Sequence, residues 1–180
     1  INESMVERAI ALLEPGENRF QLQIEEENPR LWWPRGVDES HVYPLRVRIR
    51  QLNTVLAERW VMLGFRTVDW REDGTLLVNN RPVPMHGAEW TSTDPFHPNH
   101  SSLLVEPFQR LCQSNLNALW VGQNRFEGSL FYDACDSAGI LVLQEIPTED
   151  NRLSQETLMN LETHPCVVGW TSAEMPTGTR

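Results

Sequence analysis

Close to the C-terminal end of the chain, His164-Pro165-Cys166-Val167-Val168-Gly169-Trp170-Thr171-Ser172-Ala173-Glu174 joins a short apolar, β-prone run to a carboxylate. A strand that starts after a proline and delivers an acid to its C-terminal end is how an α/β barrel presents a proton donor to a substrate. Glu174 is therefore the first candidate for chemistry. Six further side chains stand where short strands are expected to end: His86, Glu89, Trp90, Trp120, Gln144 and Glu145. Carboxyls suit proton transfer and nucleophilic attack, indoles offer flat apolar faces, and amides and imidazoles hydrogen-bond hydroxyls. Glu145 is a conceivable partner for Glu174; a structural role, bridging neighbouring strands, is the alternative.

Other chemistries find little support. His86 and Glu89 are two metal-ligand types without a third at a plausible spacing, so no metal is expected. GxGxxG and GxxxxGK[ST] loops are absent, so no nucleotide cofactor is expected, and Ser/His/Asp catalysis lacks a GxSxG. A net charge of −10 disfavours nucleic acid and anionic membranes as partners and leaves neutral or cationic ligands as easier ones. The chain contains neither an apolar run long enough to span a bilayer nor a recognisable targeting segment. Its compartment is left open. Cys112, Cys135 and Cys166 are odd in number and widely spaced, which predicts buried thiols rather than a disulfide framework or a zinc knuckle. The sequons at Asn2 and Asn99 bear on structure only in a secreted eukaryotic protein.

The elements that must position these residues change character along the chain. Phe20, Leu22 and Ile24 alternate with polar residues after the Pro15-Gly16-Glu17-Asn18 turn, and Leu45, Val47 and Ile49 alternate with three arginines. Both patterns predict half-buried strands, with a third at residues 58–63. Between the first two, Trp32 and Trp33 sit in a Pro- and Gly-bracketed loop. They are expected to pin that loop against a core or a neighbouring domain, with a sugar-stacking platform as the alternative. A boundary is placed near residues 67–70, giving residues 1–68 as a partial immunoglobulin-like β-sandwich.

Beyond it the pattern becomes strand, loop, helix. A hairpin is predicted around Asn79-Asn80-Arg81-Pro82, with arms at 75–78 and 83–85, the second running on to Trp90. Leu104, Phe108 and Leu111 mark a helix. Strands follow at 117–121, 140–143 and 166–170, separated by a helix that stops at Gly139 and a weaker one at 154–163. This βαβαβαβ order predicts parallel strands with helical crossovers. Four such units make half of a TIM (β/α)8 barrel, assigned to residues 69–180.

The ordered segments NPRLWWPRG, GFRTVDW, VNNRPVPMHGAEW, FYDACDSAGILVLQEIP and HPCVVGWTSAE resemble glycoside hydrolase family 2, nearest its β-mannosidase and exo-glucosaminidase branch. The resemblance covers residues 15–176. It implies an immunoglobulin-like domain followed by a barrel that hydrolyses terminal β-linked sugars with retention of configuration. Glu174 then matches the acid/base glutamate at the end of the fourth strand. The nucleophile, which the resemblance puts after the seventh strand, falls outside this chain. The 180 residues are accordingly expected to be a fragment, with the other half of the barrel supplied by the same longer chain or by a partner chain.

The resemblance further implies a carbohydrate substrate, with Trp90 and Trp120 stacking on or walling the sugar, and His86, Glu89 and Glu127 hydrogen-bonding it or bracing loops. Several positions depart from the family pattern. Ala173 replaces the asparagine that precedes the acid/base residue, His86 replaces an arginine, and Trp120-Val121-Gly122-Gln123-Asn124 lacks the arginine of the family's corresponding segment. Those departures motivate a second reading, a catalytically inactive homologue that serves as a carbohydrate-binding or scaffold module.

Overall fold

A computed structural model of the chain describes residues 9, 14–16, 18–21, 23–91, 102–122, 126–146 and 155–172. Glu174 and Ala173, both sequons and the Gln123-Asn124 positions lie outside the described residues.

Strands β1 (Tyr43–Gln51) and β2 (Thr54–Leu63) pair antiparallel with a bulge between Ile49 and Arg50. They form a two-stranded sheet of their own among the described residues, and Val47, Ile49, Val55, Leu56 and Trp60 on it are exposed. A sandwich needs a second packed layer to bury such a face, and none is present among the described residues. The strand expected through Phe20 and Ile24 is not formed either. Residues 18–21 and 23–26 adopt no regular structure, and both side chains are exposed. Alternation is not sufficient where no neighbour takes up the backbone hydrogen bonds.

β3 (Val68–Trp70), β4 (Leu76–Val78) and β5 (Arg81–Pro82) form a second antiparallel sheet. The predicted hairpin is tighter than its sequence suggested. Asn79 and Asn80 both take positive φ, 50° and 62°, the backbone of a two-residue hairpin turn, so Arg81–Pro82 becomes the second arm.

The larger core surrounds a four-stranded parallel sheet: β6 (Gly87–Trp90), β7 (Ala118–Val121), β8 (Leu141–Ile146) and β9 (Val167–Ser172), in sequence order across the sheet. The crossovers carry α1 (Ser102–Gln113), α2 (Ser129–Ala138) and α3 (Gln155–Glu162). All four predicted parallel strands and all three helices are found. The continuous apolar run at 140–143 is buried apart from Leu143, as a strand covered on both faces requires. Cys135 and Cys166 are buried free thiols, and burial pushes both up from the ordinary thiol range; Cys112, expected to match them, is only half-buried. No helix among the described residues is long and apolar enough to cross a membrane.

Three side chains stitch the N-terminal β region to this sheet. Trp32, fully buried, donates Nε1–H to Asp136 O in α2 at 2.7 Å, which is the anchoring role expected of it. Trp33 instead lies beneath the Arg81 guanidinium, 5.0 Å from the ring centre. Arg66 donates to the carbonyls of Pro165 and of Val167, the latter at 2.6 Å, and the Trp70 indole donates to Val168 O at 2.9 Å.

Gly139 ends α2 at φ 69°, ψ 30°, a left-handed stop that an L side chain adopts only with strain. A Cβ there would fall 2.7 Å from Arg35 N and collide with Ser40 Oγ, because the tryptophan loop crosses directly over the helix end. Gly139→Ala is expected to destabilise the fold by about 2–3 kcal/mol in urea unfolding. A loss below about 1 kcal/mol would mean that the loop yields freely.

Candidate functional site

Parallel strands linked by helices gather functional side chains at the strands' C-terminal ends, because the connecting loops diverge there. Side chains alternate between the two faces of the sheet, and the packing identifies each face. Trp90 packs on Phe108 of α1 and Phe131 of α2, with ring centres 6.0 Å and 4.9 Å away. Gln144, aligned with Val121 across the sheet, accepts a hydrogen bond from the Tyr132 hydroxyl of α2. Trp90, Val121 and Gln144 therefore face the helices. Their neighbours Glu89, Trp120 and Glu145 face the other way, together with Thr171.

That second face forms a contiguous patch. Glu89 is paired with Trp120, and Glu145 with Thr171. The Trp120 indole reaches over β8 and donates Nε1–H to Thr171 Oγ1 at 3.1 Å. A methyl on Gly122 would fall 2.8 Å from Glu145 Oε2 and 2.8 Å from Trp120 Cζ2, so carboxylate and indole close over the same glycine. Glu145 is buried, Trp120 half-buried and Glu89 exposed. Two carboxylates, a hydroxyl and an indole on one face can hydrogen-bond several hydroxyls and offer an apolar surface to a ring. Glu174 follows Thr171 by three positions, beyond the described residues.

Two sequence-predicted site residues are placed elsewhere. Trp90 stands at the expected strand end, but its ring belongs to the aromatic core beneath the helices and is 8% exposed, so it neither stacks on nor walls a ligand on the opposite face. His86 precedes β6 instead of following it. Its N–H donates to Asn117 Oδ1 at 2.8 Å and its carbonyl accepts from Asn117 N–H at 2.9 Å, at the N-terminal end of the sheet. Three residues of strand, roughly 10 Å at about 3.3 Å each, separate it from Glu89. Glu127 lies just before α2, with its N–H donating to the Tyr132 hydroxyl.

Sequence reasoning passed over Thr171, although its place opposite Glu145 follows from period-two alternation once the register is known. It also passed over a part-buried cluster at the start of β9. Asp136, with no exposed surface, accepts from Cys166 N–H through Oδ1 at 2.9 Å, and its Oδ2 lies 2.6 Å from His164 Nδ1. Asp133, 3.9 Å from the same nitrogen, has its carboxyl pushed above the usual range by desolvation, with His164 opposing. These three residues are the one group of metal-ligand types close enough to share an ion among the described residues. Both Asp136 oxygens, however, already have hydrogen-bond partners within the protein, which is how a buried carboxylate is ordinarily satisfied.

No family model matches the chain. It is similar to a β-galactosidase of Thermoanaerobacter pseudethanolicus, 27% identical over 164 residues that cover 82% of this chain and 21% of the relative. A β-mannosidase of Mus musculus is 27% identical over 163 residues, covering 77% and 18%. The chain thus spans about a fifth of the length of the curated relatives it matches. Among solved structures, an exo-chitosanase of Amycolatopsis orientalis superposes with a TM-score of 0.66 at 20% identity, over 81% of this chain and 20% of that one. A glycosyl hydrolase family 2 member from Bacteroides cellulosilyticus gives 0.63 at 21% identity, over 83% and 22%. The structural likeness establishes a shared fold, and the curated relatives, named β-galactosidase and β-mannosidase, agree with the resemblance read from the sequence motifs.

Proposed function

We propose that this chain is the part of a retaining glycosidase that carries the acid/base carboxyl, acting on terminal β-linked sugars such as β-mannosides, β-glucosaminides or β-galactosides. In this reading residues 69–180 are the first four βα units of a (β/α)8 barrel, and residues 1–68 are part of an immunoglobulin-like domain. The patch on β6 to β9 lines one side of the barrel mouth. Glu174 protonates the departing oxygen, then deprotonates the water that releases the sugar. A second carboxylate, supplied from outside residues 1–180, attacks the anomeric carbon. Trp120 lies along the sugar ring, while Glu89, Glu145 and Thr171 bind its hydroxyls or hold their neighbours in place.

The observation that carries this reading is the gathering of Glu89, Trp120, Glu145 and Thr171 on one face at the C-terminal ends of parallel strands. Relatives named as glycosidases, aligned over most of the chain, support the reaction class.

The test is a screen of the whole protein that contains this chain on 4-nitrophenyl β-mannoside, β-glucosaminide and β-galactoside. Turnover of at least one is expected. Failure on all three by a folded protein that still binds one of the free sugars would instead favour the inactive, carbohydrate-binding reading motivated by Ala173.

A further inference from the structure

Tyr132 stands behind the candidate site, on the helix side of the sheet, with 1% of its surface exposed. Its hydroxyl donates to Gln144 Oε1 at 2.7 Å and accepts from Glu127 N–H at 3.3 Å. Gln144 is fully buried and turns its amide nitrogen to two carbonyls, Glu145 O at 3.0 Å and Val121 O at 3.4 Å. One phenol therefore reaches three places at once: the segment bearing Glu127, the tip of β7 beside Trp120 and Gly122, and the backbone of Glu145.

The direction of each bond is fixed by chemistry. A peptide N–H can only donate, so the phenol oxygen is the acceptor for Glu127. Burial holds the hydroxyl protonated far above neutral pH, so its single proton is available for Gln144. An amide whose oxygen is thus engaged must present its NH2 to the carbonyls. The network is buried, and in such surroundings deleting one hydroxyl weakens the bonds of its neighbours as well as its own.

We propose that Tyr132 is a positioning residue of the glycosidase site inferred above: it holds Glu127 directly and, through Gln144, the backbone of Glu145 and the end of β7. The proposal rests on that reading for its catalytic consequence and on the hydrogen bonds alone for its structural one. Standing on the helix side of the sheet, Tyr132 touches no ligand on the opposite face, so its influence passes through the carboxylate-bearing backbone.

The experiment is Tyr132→Phe in the whole protein, which deletes one oxygen and keeps the ring. On the substrate found by the screen, kcat/KM is expected to fall roughly ten- to a hundredfold, because a small misplacement of the groups that orient the sugar costs rate even with the reacting carboxyls untouched. In a Glu145→Gln background the same change should cost less than about threefold, since residues acting as a unit are not additive. A purely structural role would give independent effects in the two backgrounds, and that result would overturn the proposal.

Amide hydrogen exchange gives a second readout that needs no turnover. The Glu127 amide and the tips of β7 and β8 should exchange at least about tenfold faster in Tyr132→Phe, with β6 unchanged. If the protein turns over no glycoside yet shows that local loosening, the placement of Tyr132 stands and the glycosidase reading fails. Unchanged exchange at Glu127 overturns the placement itself. Should Tyr132→Phe fail to accumulate, Gln144→Met, which keeps the length of the side chain but removes the acceptor for the phenol and the donors to both carbonyls, is expected to loosen the β7 and β8 tips in the same way; unchanged protection there is the contrary result.

Discussion

Glu174→Gln in the whole protein is expected to suppress hydrolysis of glycosides with poor leaving groups by about 10²–10⁴-fold, while leaving the first step on activated aryl glycosides near the wild-type rate. The difference comes from the leaving oxygen. A nitrophenolate departs without a proton, whereas an alkoxide of a natural sugar does not, and glutamine has no proton of suitable acidity to give. Release of the glycosyl intermediate should slow for both, because the same side chain must then take a proton from water. An initial burst of nitrophenol followed by slow turnover is the expected trace. Equal rates of mutant and wild type on a natural disaccharide would remove Glu174 from the mechanism.

Asp136→Ala is expected to destabilise the protein by about 3–5 kcal/mol, because it strands a buried backbone N–H and a part-buried imidazole. The Cys166 N–H and His164 Nδ1 both meet the Asp136 carboxylate, which has no exposed surface. Its neighbour Asp133 provides the control. That side chain is 39% exposed and 3.9 Å from His164, so Asp133→Ala should cost less than about 1 kcal/mol. Urea unfolding of the two variants decides the matter, and similar losses would mean that the carboxylate is not what holds the start of β9.

The sequence disclosed the parallel half of the fold because each of its elements carries a local signal. The stripe through Leu104, Phe108 and Leu111, the stop at Gly139 and the apolar run at 140–143 each translate into one observed element. Residues 18–26 show what local signals omit. Their alternation was genuine, but a strand is made by a neighbour, and no periodicity says whether one will be there. The site was legible to a similar depth. Glu89, Trp120 and Glu145 come together because register and pleat act on positions that could be counted. Trp90 and His86 went astray for related reasons. A single-residue step along a strand reverses the face, and a strand that begins at Gly87 instead of before it moves His86 to the opposite end. Tyr132 and Asp136 left no trace in the pattern because their roles depend on partners 12 and 30 residues further on, Gln144 and Cys166.

The side chains that grip the start of β9 also impose an order in time. Arg66 and Trp70 are synthesised about a hundred residues ahead of the carbonyls they bind, with sequence separations of 98 to 101. Loops of that length close late. During translation the guanidinium and the indole must wait in water while three helices and five strands, β4 to β8, are made, and β9 is the last of the four parallel strands to emerge. The apolar surface meant for it stays open until then. A nascent chain halted near residue 160 would expose that surface together with an unpaired edge of β8, the kind of species on which chaperones act.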